Sequence, residues 1–145
     1  MFQHILIATD GSELAERAAS QGIALAQRLK AKITVVHATD PWVAVVAGDA
    51  AIGFPSRDYD ESAAKAAAAI LARAADKAKA ADVPCTLVHM KDSFSADGIL
   101  AAAKEHGCDL IVMGSHGRRG LAKLLLGSVA TRVLTLSPVP VLICR

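Results

Sequence analysis

The chain has 145 residues, enough for one domain, and 53% of them are hydrophobic, which excludes a disordered polypeptide. Aromatic residues make up only 3%, so the core is expected to be built from Ala, Val, Leu and Ile. A net charge of +2 is too small for a broad nucleic-acid surface, and no apolar run approaches the roughly 20 residues of a membrane helix.

Short apolar runs alternate with longer helical stretches along the chain. Residues Gln3–Ala8 read as a buried strand. Ser12 is the N-cap expected for a helix reaching about Arg28, with Glu13 and Glu16 placed to favour its dipole. Lys32–His37 reads as a second strand. Asp40 to about Ser56, with Pro41, Gly48, Gly53 and Pro55, reads as a long connection. An alanine-rich helix follows over about Asp58–Ala81, then a strand over Cys85–Met90. A helix over about Ser95–His106 is expected to end at Gly107, and Leu110–Met113 reads as a fourth strand. A glycine-punctuated loop, a helix over about Ser128–Leu136 and a last strand, Val139–Cys144, complete the series.

This alternation predicts an α/β fold: one doubly wound, five-stranded parallel sheet in the order 3-2-1-4-5, with helices on both faces. Such sheets bind ligands beyond the strands' C-terminal ends, where the strand order reverses. The first and fourth strands, ending at Ala8 and Met113, are expected to flank that crevice.

The opening MFQHILIATDGS carries no basic leader, and Cys85, Cys108 and Cys144 form no CxxC pair, so a reducing cytoplasm is the expected location. The five histidines, His4, His37, His89, His106 and His116, lack metal-ligand spacing, and no metal site made of them is expected. Charge is uneven: Gly114–Arg145 carries +5 and no acidic residue, leaving −3 for the rest. A local basic excess of that kind suits a small anion.

The stretch that carries chemistry is Met113–Val129, MGSHGRRGLAKLLLGSV. Gly117 and Gly127 allow close backbone approach, and Ser128 opens a helix whose N–H groups and dipole suit a phosphate. Arg118, Arg119 and Lys123 add charge nearby. Glycines also punctuate ordinary loops, and basic residues also suit a solvated loop face. Spacing alone does not separate these readings. Gly114-Ser115-His116-Gly117 does not match the GxSxG nucleophile elbow, and Ser115 reads as a turn residue.

Gly114-x2-Gly117-x9-Gly127-Ser128 resembles the ATP-binding motif of universal stress proteins, G-x2-G-x9-G-[S/T]. HILIATDGSELAERA at the start and DLIVMGSHGRRGLAKLLLGSVATRVLTLSPVPVLICR at the end are similar to that family too, the likeness weakening only across about Pro41–Tyr59. The resemblance implies a site for ATP or AMP, with Mg²⁺ or Mn²⁺ as an accompanying ion. By it, Ala8, Thr9 and Ala38 line the adenine side through backbone groups, and Asp10 faces the ribose. Met113 and Gly114 flank ribose and phosphates. Gly117, Gly127, Ser128 and Val129 wrap the phosphates, with Arg118 as an extra contact. Asp10-Gly11 is also an ordinary turn pair.

The resemblance further implies a homodimer through the C-terminal edge strand, with Val139, Val141 and Ile143 at the interface. Pro140 suits an edge, since it cannot donate to a ladder. The expected function is a nucleotide-dependent switch or scaffold in stress response, read by an unidentified protein partner, with no nucleic acid or membrane involved. Nucleotide binding is expected to order the loop around Arg118–Leu126. Slow ATP hydrolysis or phosphotransfer, and a nucleotide-independent dimer, are the alternatives. No general base aimed at a water is evident for the first.

Overall fold

The computed structural model describes residues 1–42, 56–118 and 125–145. Five strands are β1 (His4–Ala8), β2 (Lys32–Ala38), β3 (Cys85–Met90), β4 (Leu110–Gly114) and β5 (Val141–Cys144). They pair in parallel in the order β3-β2-β1-β4-β5. The helices that connect them are α1 (Glu13–Leu29), α2 (Ser56–Ala80), α3 (Ser95–Glu105) and α4 (Ser128–Leu136).

The expected strand order is therefore the observed one. Side chains that alternate along the central strands feed two separate cores. Ile5, Ile7, Ile33, Val35, Leu110 and Val112 pack under α1 and α2. Leu6, Ala8, Val36, Ile111 and Met113 pack under α3 and α4. No described helix is long and apolar enough to cross a membrane.

Helix ends follow their local chemistry. Ser12 caps α1 by accepting from the Ala15 N–H at 3.3 Å. The helix closes at Lys30, which takes a left-handed φ of 55°. Gly107, at φ 64°, takes the same conformation just past α3. Helix α2 begins two residues earlier than the sequence pattern suggests.

The last strand departs most from expectation. It begins at Val141, not at Val139. Ser137 explains the difference: its hydroxyl donates to the Val139 carbonyl at 2.7 Å and accepts from the Val139 N–H at 3.2 Å. That turn engages the backbone of Val139 before the ladder starts. Pro140 joins the ladder through its carbonyl, which accepts from the Ile111 N–H at 3.0 Å.

A small-residue face lets α1 lie close to the sheet. Ala15, Ala18, Ala19, Gly22 and Ala26 are all buried there. A Cβ on Gly22 would sit 2.9 Å from Ile7 Cδ1 and 3.3 Å from Val112 Cγ1. Gly22→Val should therefore lower the urea midpoint, with a loss of about 1–3 kcal/mol from overpacking. An unchanged midpoint would show that α1 and the sheet separate at no cost.

Candidate functional site

Strand order reverses between β1 and β4, and beyond their C-terminal ends lies a cleft of about 660 Å³. That volume is within the usual range for a small-molecule site, roughly 300–1,000 Å³. All eleven residues assigned to a nucleotide by sequence line it. Ala8, Thr9 and Asp10 come from the end of β1, and Ala38 from the end of β2. Met113 and Gly114 come from β4, Gly117 and Arg118 from the loop after it. Gly127, Ser128 and Val129 open α4. Arg119 and Lys123, and most of the loop expected to order on binding, lie outside the described residues.

Ser115 fixes the loop's two ends. Its N–H donates to the Cys144 carbonyl at 2.8 Å, and its carbonyl accepts from the Gly127 N–H at 2.8 Å. The residue is buried, a placement that its reading as a simple turn residue does not convey. Its hydroxyl lies 3.0 Å from His116 Nδ1. Gly127 has an ordinary φ of −63°, so its need for glycine is spatial. An added Cβ would meet the Ser115 carbonyl oxygen at 3.0 Å.

Helix α4 therefore starts against the cleft, with Gly127 as its N-cap. No side chain caps it, and no acidic residue occupies its first turn. The first N–H groups of a helix lack intrahelical acceptors and carry the positive end of its dipole. Here they meet the space between β1 and β4.

Asp10 closes the opposite wall. One carboxylate oxygen accepts from the Ser12 N–H at 2.9 Å and the other from the Arg118 N–H at 2.8 Å. The first bond is the local turn that Asp-Gly suggests; the second spans 108 residues of sequence and ties the glycine loop to β1. A Cβ on Gly117 would stand 2.7 Å from the same carboxylate, so that glycine makes the tie possible. Gly11 has a left-handed φ of 78° beside Ile70.

At the β2 end, Thr9 contributes less free backbone than the sequence suggests. Its N–H donates to the Val36 carbonyl at 3.0 Å, and its carbonyl accepts from His37 Nδ1 at 2.9 Å. His37 stacks on His89 with ring centres 6.0 Å apart, and His89 Nε2 lies 2.6 Å from the Thr39 hydroxyl. Burial first, then the neighbouring His37 and Lys91, holds the His89 imidazole below its ordinary 6.5. His4 is lowered too, chiefly by burial against the sheet, where its Nε2 lies 2.8 Å from the Thr34 hydroxyl.

Thr39, Tyr59, Phe94 and Arg132 also line the cleft, and sequence reading singled out none of them. Arg132 had a signal: it follows Ser128 by four residues, on the same helical face. Its guanidinium pairs with Asp97 at 3.1 Å.

The chain matches the model of the universal stress protein family over residues 1–145. It is 34% identical to the universal stress protein YxiE of Bacillus subtilis over 149 residues, covering 100% of both chains. Its fold superposes on protein MJ0577 of Methanocaldococcus jannaschii with a TM-score of 0.85, at 24% identity, covering 99% of this chain and 96% of that one. It also superposes on a universal stress protein crystallised in complex with cAMP, with a TM-score of 0.70 and 29% identity over 99% of this chain and 97% of the other.

The two lowered histidines set a pH dependence. Above 6.5 both are neutral in the folded and unfolded states and cost nothing. Below 6.5 the unfolded chain takes up protons that the folded one resists, so stability falls with pH. Urea unfolding should therefore give a lower midpoint at about pH 5.5 than at about pH 8. His89→Gln together with His4→Gln should flatten that difference.

Proposed function

We propose a function from one premise: the chain belongs to the universal stress protein family. It binds an adenine nucleotide, ATP in particular with AMP as a second ligand, in the cleft between β1 and β4. It acts in the cytoplasm as a nucleotide-dependent switch or scaffold in stress response, read by a protein partner. The observation that carries this reading is the uncapped start of α4, which faces the cleft across from the C-terminal end of β1. The relative crystallised with cAMP supports an adenine nucleotide there.

In this reading the N–H groups of Ser128 and Val129 receive phosphate oxygens, and the Ser128 hydroxyl adds a bond. Gly117 and Gly127 keep Cβ atoms off the Asp10 carboxylate and the Ser115 carbonyl, so that the loop and the start of α4 keep their places beside the phosphates. Arg118 supplies charge, and Ala38 and Thr9 wall the base. Among the described residues no three His, Cys, Asp or Glu side chains converge. A Mg²⁺ or Mn²⁺ ion would therefore be held largely by phosphate oxygens, whose charge it neutralises, while Asp10, both of whose oxygens accept backbone N–H groups, faces the ribose. Calorimetric titration with ATP and Mg²⁺ should show saturable binding near one ATP per chain, in the micromolar range (about −8 kcal/mol). Gly127→Val should weaken it at least tenfold. A folded wild-type protein that gives no binding heat at several temperatures would sink this reading.

The same proposal includes a homodimer through β5. The carbonyls of Pro140 and Cys144 face β4, so the alternating backbone turns the N–H and C=O groups of Val141 and Ile143 outward. An edge of that kind is a template for a second copy. Leu142 is exposed beside it, whereas Val139 has its backbone engaged by Ser137. Sedimentation equilibrium should give about twice 15.0 kDa, and Ile143→Pro should shift the mass toward one copy. A monomeric wild type removes the dimer from the proposal.

A further inference from the structure

Phe94 is one of three phenylalanines in the chain, and it is 56% exposed. It lines the cleft and is also the N-cap of α3, where it makes no side-chain hydrogen bond. Phenylalanine has nothing to offer a cap, while serine is among the best choices. Serines flank it on both sides, at 93 and 95, yet the capping position itself holds an aromatic ring. The site breaks a local rule without gaining burial. Such departures concentrate where function sets the residue.

The backbone under the ring is fixed. The Ser93 N–H donates to the Thr39 carbonyl at 3.1 Å, and the Thr39 N–H to the Met90 carbonyl at 2.9 Å. The Gly98 N–H donates to the Phe94 carbonyl at 2.9 Å. A Cβ on Gly98 would come within 3.1 Å of the Ala38 Cβ, so α3 sits close against the end of β2. Phe94 thus belongs to the β2 end of the cleft, with Ala38 and Thr39, on the same face of the sheet as α4, whose Arg132 pairs with Asp97 of α3.

We propose that Phe94 is a specificity-determining residue: its ring is the wall against which the nucleobase lies, and it favours a purine over a pyrimidine. This rests on the nucleotide reading above. A flat, exposed aromatic face gains more from a two-ring base than from a one-ring base, because more apolar area leaves water.

Full-length protein is titrated with ATP and with UTP, which share ribose and triphosphate. Wild type should bind ATP at least about tenfold more tightly than UTP. Phe94→Ser should bring that ratio toward one by weakening ATP binding about tenfold, while the melting temperature holds or rises because serine caps α3. Phe94→Trp should keep the ratio. A ratio unchanged in Phe94→Ser, or equal ATP and UTP affinities in wild type, overturns the proposal. So does an equal loss for both nucleotides with a lowered melting temperature, which would make Phe94 a structural residue. A wild type that binds neither nucleotide overturns the nucleotide reading and this inference with it. A wild type that binds ATP while Phe94→Ser is indifferent overturns this inference alone.

Discussion

The Ser115 amide donates to Cys144, and the Ser115 carbonyl accepts from Gly127. Through one buried residue, the end of β4 is joined to the last strand and to the start of the last helix. Both bonds are 2.8 Å, and Ser115 and Gly127 themselves line the cleft. With the packing of Ala130 and Val133 against the α3 side of the sheet, these bonds set where α4 begins and where its first N–H groups point. Buried backbone groups must be paired, so losing either bond would cost the desolvation of its partner as well. Asp10 supplies the complementary restraint from the other wall, through the Arg118 N–H. The site is a set of backbone groups aimed by backbone bonds, with few side chains committed to it.

The core that supports this arrangement is made from small pieces. Alanines fill the inner faces of α1, α2 and α3, and Gly22 lets α1 approach the sheet where Ile7 and Val112 stand. Small inner faces bring helices close to strands, and close packing limits how far the cleft walls can shift. Such a core needs few aromatic rings. That makes an exposed ring at the cleft more conspicuous, since no shortage of apolar filler explains it.

Much of the fold was legible in the sequence. Every described strand lay within one or two residues of its expected place; β1 and β4, buried along their whole length, read as short apolar runs, and the less buried β3 and β5 were marked by β-branched residues between turn signals. Ser12 and Gly107 were legible because each answers a local backbone demand, whereas the glycine motif was legible through its family resemblance, since Gly117 and Gly127 answer close approaches of Asp10 and Ser115. The start of β5 was not, since Val139 has an apolar side chain suited to a strand while Ser137 takes its backbone. The roles of His37, His89, Thr39 and Phe94 were not legible either. His37, Thr39 and Phe94 meet at the cleft, with His89 packed against the first two, through strand register and a loop pinned to β2, and no spacing along the chain encodes that meeting.

The carbonyl of Cys144 that anchors Ser115 belongs to β5, the edge strand of the sheet. Within the sheet, a strand paired on one side only has fewer bonds to break when it opens locally. Opening of β5 would release the Ser115 amide, and with it one of the two bonds that place the start of α4. The order of the cleft's α4 wall is thus coupled to the order of the sheet's edge.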